Sequence, residues 1–222
     1  MGKLIVIEGT DGSGKSTQFH LLTEHLSQDR IAFEQLVFPQ YSQPSSALIK
    51  MYLGGEFGSH PADVNAYAAS TFYAVDRYAS YKKVWGKWYE QGGLVVSDRY
   101  TTSNAVHQAS KEPEEKRKDF LKWLYELEYD HMGLPRPDLV LYLDVPTDFT
   151  EMLLRSREAA TGTHADIHEA DTQYLSASRR MGRSAAEYYG WTLISCVENG
   201  KMRSIQDIHE EIYRYVTKCL EE

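Results

Sequence analysis

An apolar strand that runs directly into a glycine-rich loop is the feature that most constrains this chain. Residues 4–17 read Leu-Ile-Val-Ile-Glu-Gly-Thr-Asp-Gly-Ser-Gly-Lys-Ser-Thr, so the pattern Gly-x-x-x-x-Gly-Lys-Ser extends from Gly9 to Ser16. Glycines permit a sharp turn and let successive backbone N–H groups point at phosphate oxygens, and the following helix adds its positive N-terminal end. The segment predicts a strand, a phosphate-binding loop and a helix, in that order.

This pattern assigns chemistry to individual residues. Lys15 is expected to reach the β- and γ-phosphates of a nucleotide, and the Ser16 hydroxyl to ligate Mg²⁺. A tight connection between a strand and a helix without a ligand is the alternative, which the complete motif disfavours. The predicted nucleotide contacts are Gly9, Asp11, Gly12, Ser13, Gly14, Lys15, Ser16 and Thr17.

Length and composition fit a single enzyme domain. At 222 residues the chain can build one α/β domain with a sizeable core, and its net charge of −8 disfavours nucleic acid and membrane surfaces as partners. Its two cysteines show no disulfide framework, which predicts reduced thiols and a cytoplasmic location. We find no signal-peptide pattern in residues 1–10 and no apolar run of about 18 residues, so we expect no membrane span.

Short apolar runs alternate with longer helical patterns along the chain. The runs are nearly continuous in apolar character, which is typical of parallel strands covered on both faces. The predicted strands are Leu4–Ile7, Gln35–Phe38, Leu94–Ser97, Leu139–Val145 and Thr192–Cys196. The predicted helices are 15–28, 45–53, 63–91, 101–110, 114–130, 148–157, 169–189 and 204–220. We expect one α/β domain over residues 1–222, with a doubly wound parallel five-stranded sheet flanked by helices and ligands at the carboxyl ends of the strands.

A second site is predicted at the end of the strand that begins at Leu94. Asp98 closes this strand, where a carboxylate can orient Mg²⁺ directly or through water, and Arg99 follows it. The planar guanidinium of Arg99 could bridge the phosphates of a donor and an acceptor. A surface ion pair at a strand end is the alternative.

Four longer segments form a more specific combination. They are 8–18 (Glu-Gly-Thr-Asp-Gly-Ser-Gly-Lys-Ser-Thr-Gln), 73–78 (Tyr-Ala-Val-Asp-Arg-Tyr), 98–108 (Asp-Arg-Tyr-Thr-Thr-Ser-Asn-Ala-Val-His-Gln) and 137–145 (Pro-Asp-Leu-Val-Leu-Tyr-Leu-Asp-Val). Together they resemble the thymidylate kinase family over almost the whole chain. The resemblance implies transfer of the ATP γ-phosphoryl group to dTMP, giving dTDP and ADP. It also implies Mg²⁺ as cofactor and a homodimeric cytosolic enzyme of dTTP synthesis.

The acceptor contacts follow from the resemblance and from helical spacing. Tyr73 and Arg77 lie four residues apart on a predicted helix, so the ring could stack on a pyrimidine while the guanidinium reads its edge or holds its phosphate. The alternative is an aromatic amphipathic helix without a ligand. The resemblance adds Ser103, Asn104 and Gln108 as base contacts, and amide side chains can both donate to and accept from a thymine ring. It also places Asp11 near the 3′-hydroxyl of the acceptor.

The chain departs from the family pattern at three places. Gly12 stands where one branch has an arginine that stabilises the transferring phosphoryl group, and the other branch takes this charge from a lid. We therefore expect catalysis by Lys15, Asp98 and Arg99 together with Arg155 or Arg157, which lie at the start of a predicted lid at about 155–170. That lid carries few basic residues, and an ordinary flexible connection is the alternative. In the Pro39–Tyr41 segment, a predicted acceptor contact, Tyr41 replaces a frequent phosphate-binding arginine, which leaves the acceptor phosphate to Arg77 and Arg99.

Two other functions stay open at this point. A kinase acting on a deoxynucleoside hydroxyl would need a carboxylate base, which Glu8 or Asp98 could supply. A non-catalytic nucleotide switch would use the lid as its readout. His164 and His168 have metal-chelating spacing, but Asp166 and Glu169 favour a helix cap there, so we predict no structural metal.

Overall fold

A parallel sheet of five strands forms the centre of the molecule. In this computed structural model, which describes residues 1–161 and 171–221, the strands are β1 (Lys3–Gly9), β2 (Phe33–Val37), β3 (Leu94–Asp98), β4 (Leu139–Asp144) and β5 (Thr192–Ser195). Their order across the sheet is β2-β3-β1-β4-β5, and all four pairings are parallel. The predicted doubly wound α/β fold is confirmed.

Helices cover both faces of this sheet. They are α1 (Lys15–Gln28), α2 (Ala47–Leu53), α3 (Ala66–Ser80), α4 (Gly86–Glu90), α5 (Thr101–His107), α6 (Glu114–Tyr125), α7 (Thr147–Thr161), α8 (Thr172–Tyr189) and α9 (Ile205–Glu221). A two-stranded antiparallel hairpin, β6 (Val197–Glu198) with β7 (Lys201–Met202), precedes α9. Among the described residues, no helix has both the length and the apolar character needed to cross a lipid bilayer.

The core divides between the two faces of β1. Ile5 and Ile7 point into a cluster built with apolar residues of α1 and α9, whereas Leu4 and Val6 point into a second cluster that contains Trp85 and Tyr89. Side chains alternate along a strand, so one short strand organises both layers. This arrangement fixes the start of α1, and thus the glycine-rich loop, against the sheet.

Burial of the sheet differs from the prediction at its edges. The central strands are buried along nearly their whole length, but β2 buries only Leu36 and β5 buries only Ile194. The expectation that every strand is covered on both faces is wrong for β2 and β5, because each has a neighbour on one side only. Their apolar runs are accordingly the shortest.

Several predicted helices are interrupted: the helix predicted at 101–110, for example, ends as α5 at His107, and a 3₁₀ turn follows at Ala109–Lys111. In place of the predicted helix 63–91, a 3₁₀ turn at Pro61–Asp63 ends where that helix was expected to begin, and α3, a π-helical turn at Tyr81–Trp85 and α4 follow. The Asn65 side chain caps α3 by accepting from the Ala68 N–H at 2.8 Å. Likewise, α6 ends at Tyr125 and continues as a π-helical turn, Glu126–His131. A π turn inserts one residue and shifts the side chains that follow, but the chain stays helical, so the apolar residues on either side still resemble one continuous helical pattern.

Candidate active site

A cavity of about 540 Å³ opens at the carboxyl end of the sheet. Its walls come from the glycine-rich loop, the loop after β2, α3 and the segment from β3 through α5. It brings together most of the predicted site: Asp11, Gly12, Ser13, Gly14, Lys15, Ser16, Thr17, Pro39, Tyr41, Tyr73, Arg77, Asp98, Arg99, Ser103, Asn104 and Gln108. Of the remaining predicted residues, Gly9 lies at the end of β1, and Arg155 does not line the cavity.

The glycine-rich loop holds Lys15 in place before any ligand binds. Gly14 has a φ of 83° and directly precedes α1, and the Lys15 ammonium donates to the Thr10 carbonyl oxygen at 2.8 Å. Burial, and then the nearby Arg99, lower the pKa of Lys15, while Asp11 at 4.0 Å opposes them. Phosphate oxygens at this position would therefore relieve an unfavourably desolvated cation.

Ser16 and Asp98 meet as the two motifs predict. The Ser16 hydroxyl lies 3.4 Å from Asp98 Oδ2, and Asp98 Oδ1 is buried without a hydrogen-bond partner among the described residues. A hydroxyl beside a carboxylate oxygen that lacks a partner is the kind of all-oxygen donor set that suits Mg²⁺. The residues present thus fit the implied metal ion.

Gly12 packs directly against α7. A Cβ at this position would lie 2.6 Å from the Thr150 carbonyl oxygen and 2.9 Å from Leu154 Cγ, and the Gly12 φ is 77°. Both the contact and the left-handed backbone exclude a side chain. This packing gives a physical reason for the absence of an arginine in the loop.

Arg99 is held between two acidic residues. It has a φ of 68°, its Nη2 donates to Asp11 Oδ1, and its Nη1 lies 3.7 Å from Glu8 Oε1. Burial opposes the charge of Arg99, but Asp11 and Glu8 outweigh it, so the pKa of Arg99 lies above its usual value. Nη1 also donates to Ser103 Oγ at 3.3 Å and to His107 Nε2 at 3.1 Å.

Glu8 holds Arg99 and its neighbour Ser103 in place and was not predicted as a binding residue. It is fully buried and accepts from the Thr102 and Ser103 hydroxyls at 2.7 and 2.8 Å. It therefore links the end of β1 to α5. Its place in an apolar strand just before the motif was the available signal, because a buried carboxylate there requires donors.

The opposite end of the cavity contains Arg77, which pairs with a residue that sequence reasoning missed. Arg77 Nε and Nη2 donate to the two carboxylate oxygens of Glu128 at 2.6 and 2.5 Å, and its Nη1 donates to the Tyr100 carbonyl oxygen at 3.3 Å. Burial works against the guanidinium charge, but Glu128 more than compensates, so the pKa of Arg77 is raised.

The amides of α5 lie beside this pair. Asn104 Nδ2 lies 3.2 Å from the Ser70 carbonyl oxygen and 3.4 Å from Glu128 Oε1, and no hydrogen bond among the described residues uses its Oδ1. Gln108 is buried, and its Oε1 lacks a partner among those same residues. Two amide oxygens at this end are thus available to a ligand.

Asp76 fixes the wall formed by the loop after β2. It is buried, accepts from the Gln40 backbone N–H at 2.8 Å and from the Ser45 hydroxyl at 2.5 Å, and so holds the Pro39–Tyr41 segment against α3. Asp76 was quoted in a motif but received no predicted role. Nothing local identified its partners.

The lid residues are described only in part. The Arg155 side chain is 82% exposed and lies 4.0 Å from Glu151 on the outer side of α7. The side chain of Arg157 and the predictions at His164, Asp166, His168 and Glu169 lie outside the described residues. The prediction that a lid arginine acts in catalysis therefore stays a prediction.

The sheet order, the phosphate loop at the start of α1 and the cavity beyond β1 and β3 define a nucleotide-binding protein of the P-loop class. The family model for thymidylate kinase matches residues 7–212. The chain belongs to the thymidylate kinase family, and it is an enzyme of the nucleoside monophosphate kinase type.

Individual relatives agree with this assignment. The chain is 31% identical over 194 residues to a thymidylate kinase from Mycobacterium tuberculosis, covering 85% of this chain and 87% of the relative. It is 27% identical over 224 residues to that of Plasmodium falciparum, covering 98% and 90%. A solved thymidylate kinase structure from Candida albicans shares the fold, with a TM-score of 0.71 at 21% identity over 98% of this chain and 92% of that one.

Proposed function

We propose that this protein transfers the γ-phosphoryl group of ATP to dTMP, with Mg²⁺, giving dTDP and ADP. One observation supports this most strongly. A single cavity carries a phosphate loop at one end and an aromatic, arginine and amide cluster at the other, with Arg99 between them.

The donor end would work by positioning and charge neutralisation. The loop N–H groups and Lys15 bind the donor phosphates, and Ser16 with Asp98 hold Mg²⁺, which shields the phosphate charge when bound. The acceptor is already a phosphate, so no general base is required. Transfer is then an in-line displacement that depends on alignment.

Arg99 would bind the acceptor phosphate beside the donor. Its Nη1 and Nη2 already face the cavity side of Asp11 and Ser103, so a phosphate can replace or share these contacts. Asp11 would then turn toward the 3′-hydroxyl of the acceptor. Tyr41 and Pro39 border the same region.

The base end would read an uncharged pyrimidine. Tyr73 offers a ring for stacking, while the oxygens of Asn104 and Gln108 can accept from the thymine N3–H. Because Arg77 is already paired with Glu128, its remaining N–H groups suit a base carbonyl better than a phosphate. Of the two roles that the spacing left open for Arg77, we propose base recognition.

Lid closure would complete the site. Arg155 or Arg157 would move onto the donor phosphates when residues of the 155–170 segment close, which also excludes water. We further propose a cytoplasmic homodimer. The outward face of α3 exposes Tyr67, Val75 and Tyr78, an apolar surface that a second copy can cover.

An acceptor screen tests the proposed activity. Purified protein with Mg·ATP is supplied with each deoxynucleoside and each nucleoside monophosphate, and ADP release is followed by a coupled assay. We expect turnover with dTMP far above that with thymidine. Absence of dTDP would refute the proposal, and turnover of thymidine alone would favour a nucleoside kinase. Light scattering of the same sample reports the oligomeric state.

A further inference from the structure

Glu128 is a fully buried carboxylate that does not line the cavity itself. It belongs to the π-helical turn Glu126–His131, and the exposure of its side chain is 0%. A π turn inserts one residue into a helix and changes the direction of the side chains that follow, and such turns are frequent at functional sites. Here the turn carries the carboxylate to Arg77, 51 residues earlier in the chain.

Three side chains of the base end converge on this one carboxylate. Arg77 donates to both of its oxygens, the Thr101 hydroxyl donates to Oε2 at 2.8 Å, and Asn104 Nδ2 lies 3.4 Å from Oε1. Arg77 and Asn104 both line the cavity. Glu128 thus sets the orientation of two groups that a ligand would meet.

The hydrogen bonds also decide which part of Arg77 remains for a ligand. A guanidinium has five N–H groups in a fixed plane, and those described here use three of them, two toward Glu128 and one toward Tyr100. Both carboxylate bonds come from one edge of the fork, so the plane cannot rotate while they persist. The remaining N–H groups are held in one direction.

The charge balance around Arg77 also indicates which kind of ligand group it can bind. Arg77 is only 2% exposed, and a buried guanidinium without a counter-ion would attract an anion. Pairing with Glu128 makes the base end neutral overall, whereas Arg99 and Lys15 serve the phosphates. A neutral pair that still offers N–H donors selects an uncharged carbonyl group.

We infer that Glu128 is a positioning residue for acceptor recognition: it fixes Arg77 and Asn104 for the pyrimidine base and prevents Arg77 from serving as a phosphate site. The inference rests on the proposed function. It assigns to a residue outside the cavity the division of labour between Arg77 and Arg99.

The test compares Glu128→Gln with Glu126→Gln. Glu126 lies on the same π turn, is about half exposed and faces Lys122 at 3.7 Å, so it controls for loss of a negative charge in this segment. For Glu128→Gln we expect the Kd of dTMP and that of thymidine to rise by the same factor, about 10- to 100-fold, because a charge-assisted contact at the base end is weakened. We expect kcat and the KM of ATP to stay within about 3-fold. Glu126→Gln should change none of these values.

A double variant separates positioning from general damage. If Glu128 acts through Arg77 and Asn104, then adding Glu128→Gln to Arg77→Gln should weaken thymidine binding by a clearly smaller factor than Glu128→Gln does alone, because only the Asn104 contact is left to lose. Multiplied losses, or a loss for dTMP that thymidine does not show, would overturn the inference. So would a fall in kcat accompanied by a lower unfolding temperature, since that indicates structural damage.

These outcomes are distinct from failure of the proposed function. If wild-type protein does not phosphorylate dTMP, the activity and the inference fall together. If wild-type protein is active but the losses multiply, only the role of Glu128 is wrong.

Discussion

The two ends of the cavity are built in opposite ways. The proposed phosphate end comes from one contiguous loop, residues 9–17, whose backbone would supply most of the contacts, with Asp98 and Arg99 added at the end of the neighbouring strand β3. The base end is assembled from side chains far apart in sequence, with Arg77, Thr101 and Asn104 gathered on Glu128. Backbone geometry dictates one site, and long-range side-chain pairing dictates the other.

This difference has consequences for how each end can fail. A backbone cradle tolerates side-chain changes but not changes in the conformation of its glycines. A buried polar network tolerates backbone adjustment poorly, and it loses function when one partner is removed. The following experiments probe that contrast, beginning with the largest expected effect.

Replacement of Arg99 should cost the most. Arg99→Met removes the cation between donor and acceptor and leaves Asp11 and Glu8 uncompensated, so we expect kcat to fall by about 10³-fold while ATP binding persists. Steady-state kinetics and ATP titration measure the two effects. Arg136→Met, at an exposed pair with Asp130, is the control. Near-normal kcat would show that the bridging role belongs to another residue.

The phosphate loop can be tested through its packing on α7. Gly12→Ala should lower the free energy of unfolding by about 2–4 kcal/mol, because strain at positive φ is joined by overlap with Thr150 and Leu154. Gly14→Ala has a similar φ of 83° but open space around its Cβ, so we expect about 1–2 kcal/mol. Denaturant unfolding without nucleotide measures both. Equal losses would mean that α7 does not press on the loop in solution.

The base end can be tested with a smaller substrate change. Replacing dTMP by dUMP removes only the thymine methyl group, and a methyl in an apolar notch contributes roughly 1–3 kcal/mol. The cavity includes Leu53 and Tyr73 as apolar contacts. We expect kcat/KM for dUMP to be lower by about tens of fold. Equal turnover of the two nucleotides in the coupled assay would reject this model of base recognition.

The smallest effect concerns the packing of α9 against α1, the helix that begins directly after the glycine-rich loop. His25 on α1 and His209 on α9 lie 3.0 Å apart, and burial followed by His25 lowers the pKa of His209, with Glu210 opposing. Folding therefore disfavours the protonated ring, and stability should decrease as pH falls below about 6.5. We expect a loss on the order of 1 kcal/mol or less.

Denaturant unfolding at pH 7.5 and pH 5.5 measures this loss. His209→Gln should reduce the difference between the two pH values, whereas His20→Gln, at an exposed position beside Glu24, should not. An unchanged pH dependence in His209→Gln would assign the effect to other groups. Binding of the acceptor at the base end should not follow this titration.

The contrast also explains what sequence reasoning could reach. The strand-loop-helix order and the meeting of Ser16 with Asp98 followed from local patterns, because a parallel sheet brings the carboxyl ends of its strands together. The five strands were also predicted from a local pattern, their nearly continuous apolar runs. Apolar runs mark the centre of a sheet well, and they mark edge strands such as β2 less sharply.

The supporting residues could not be predicted in this way. A buried Arg77 requires a carboxylate, but 32 acidic residues are available, and choosing Glu128 requires knowing that a π turn follows α6. The same holds for Asp76, whose partners Gln40 and Ser45 lie in a loop. The reason that Gly12 cannot carry a side chain depends on the approach of α7, which is a tertiary contact.

Consecutive residues of α3 are bonded to two different parts of the cavity surroundings. Asp76 is bonded to the segment after β2, and Arg77 to the turn after α6. A displacement of α3 would therefore carry both parts together, so the outline of the nucleotide pocket would be kept while its distance from the donor phosphates changes. The proposed acceptor site would then move as one rigid body relative to the donor phosphates.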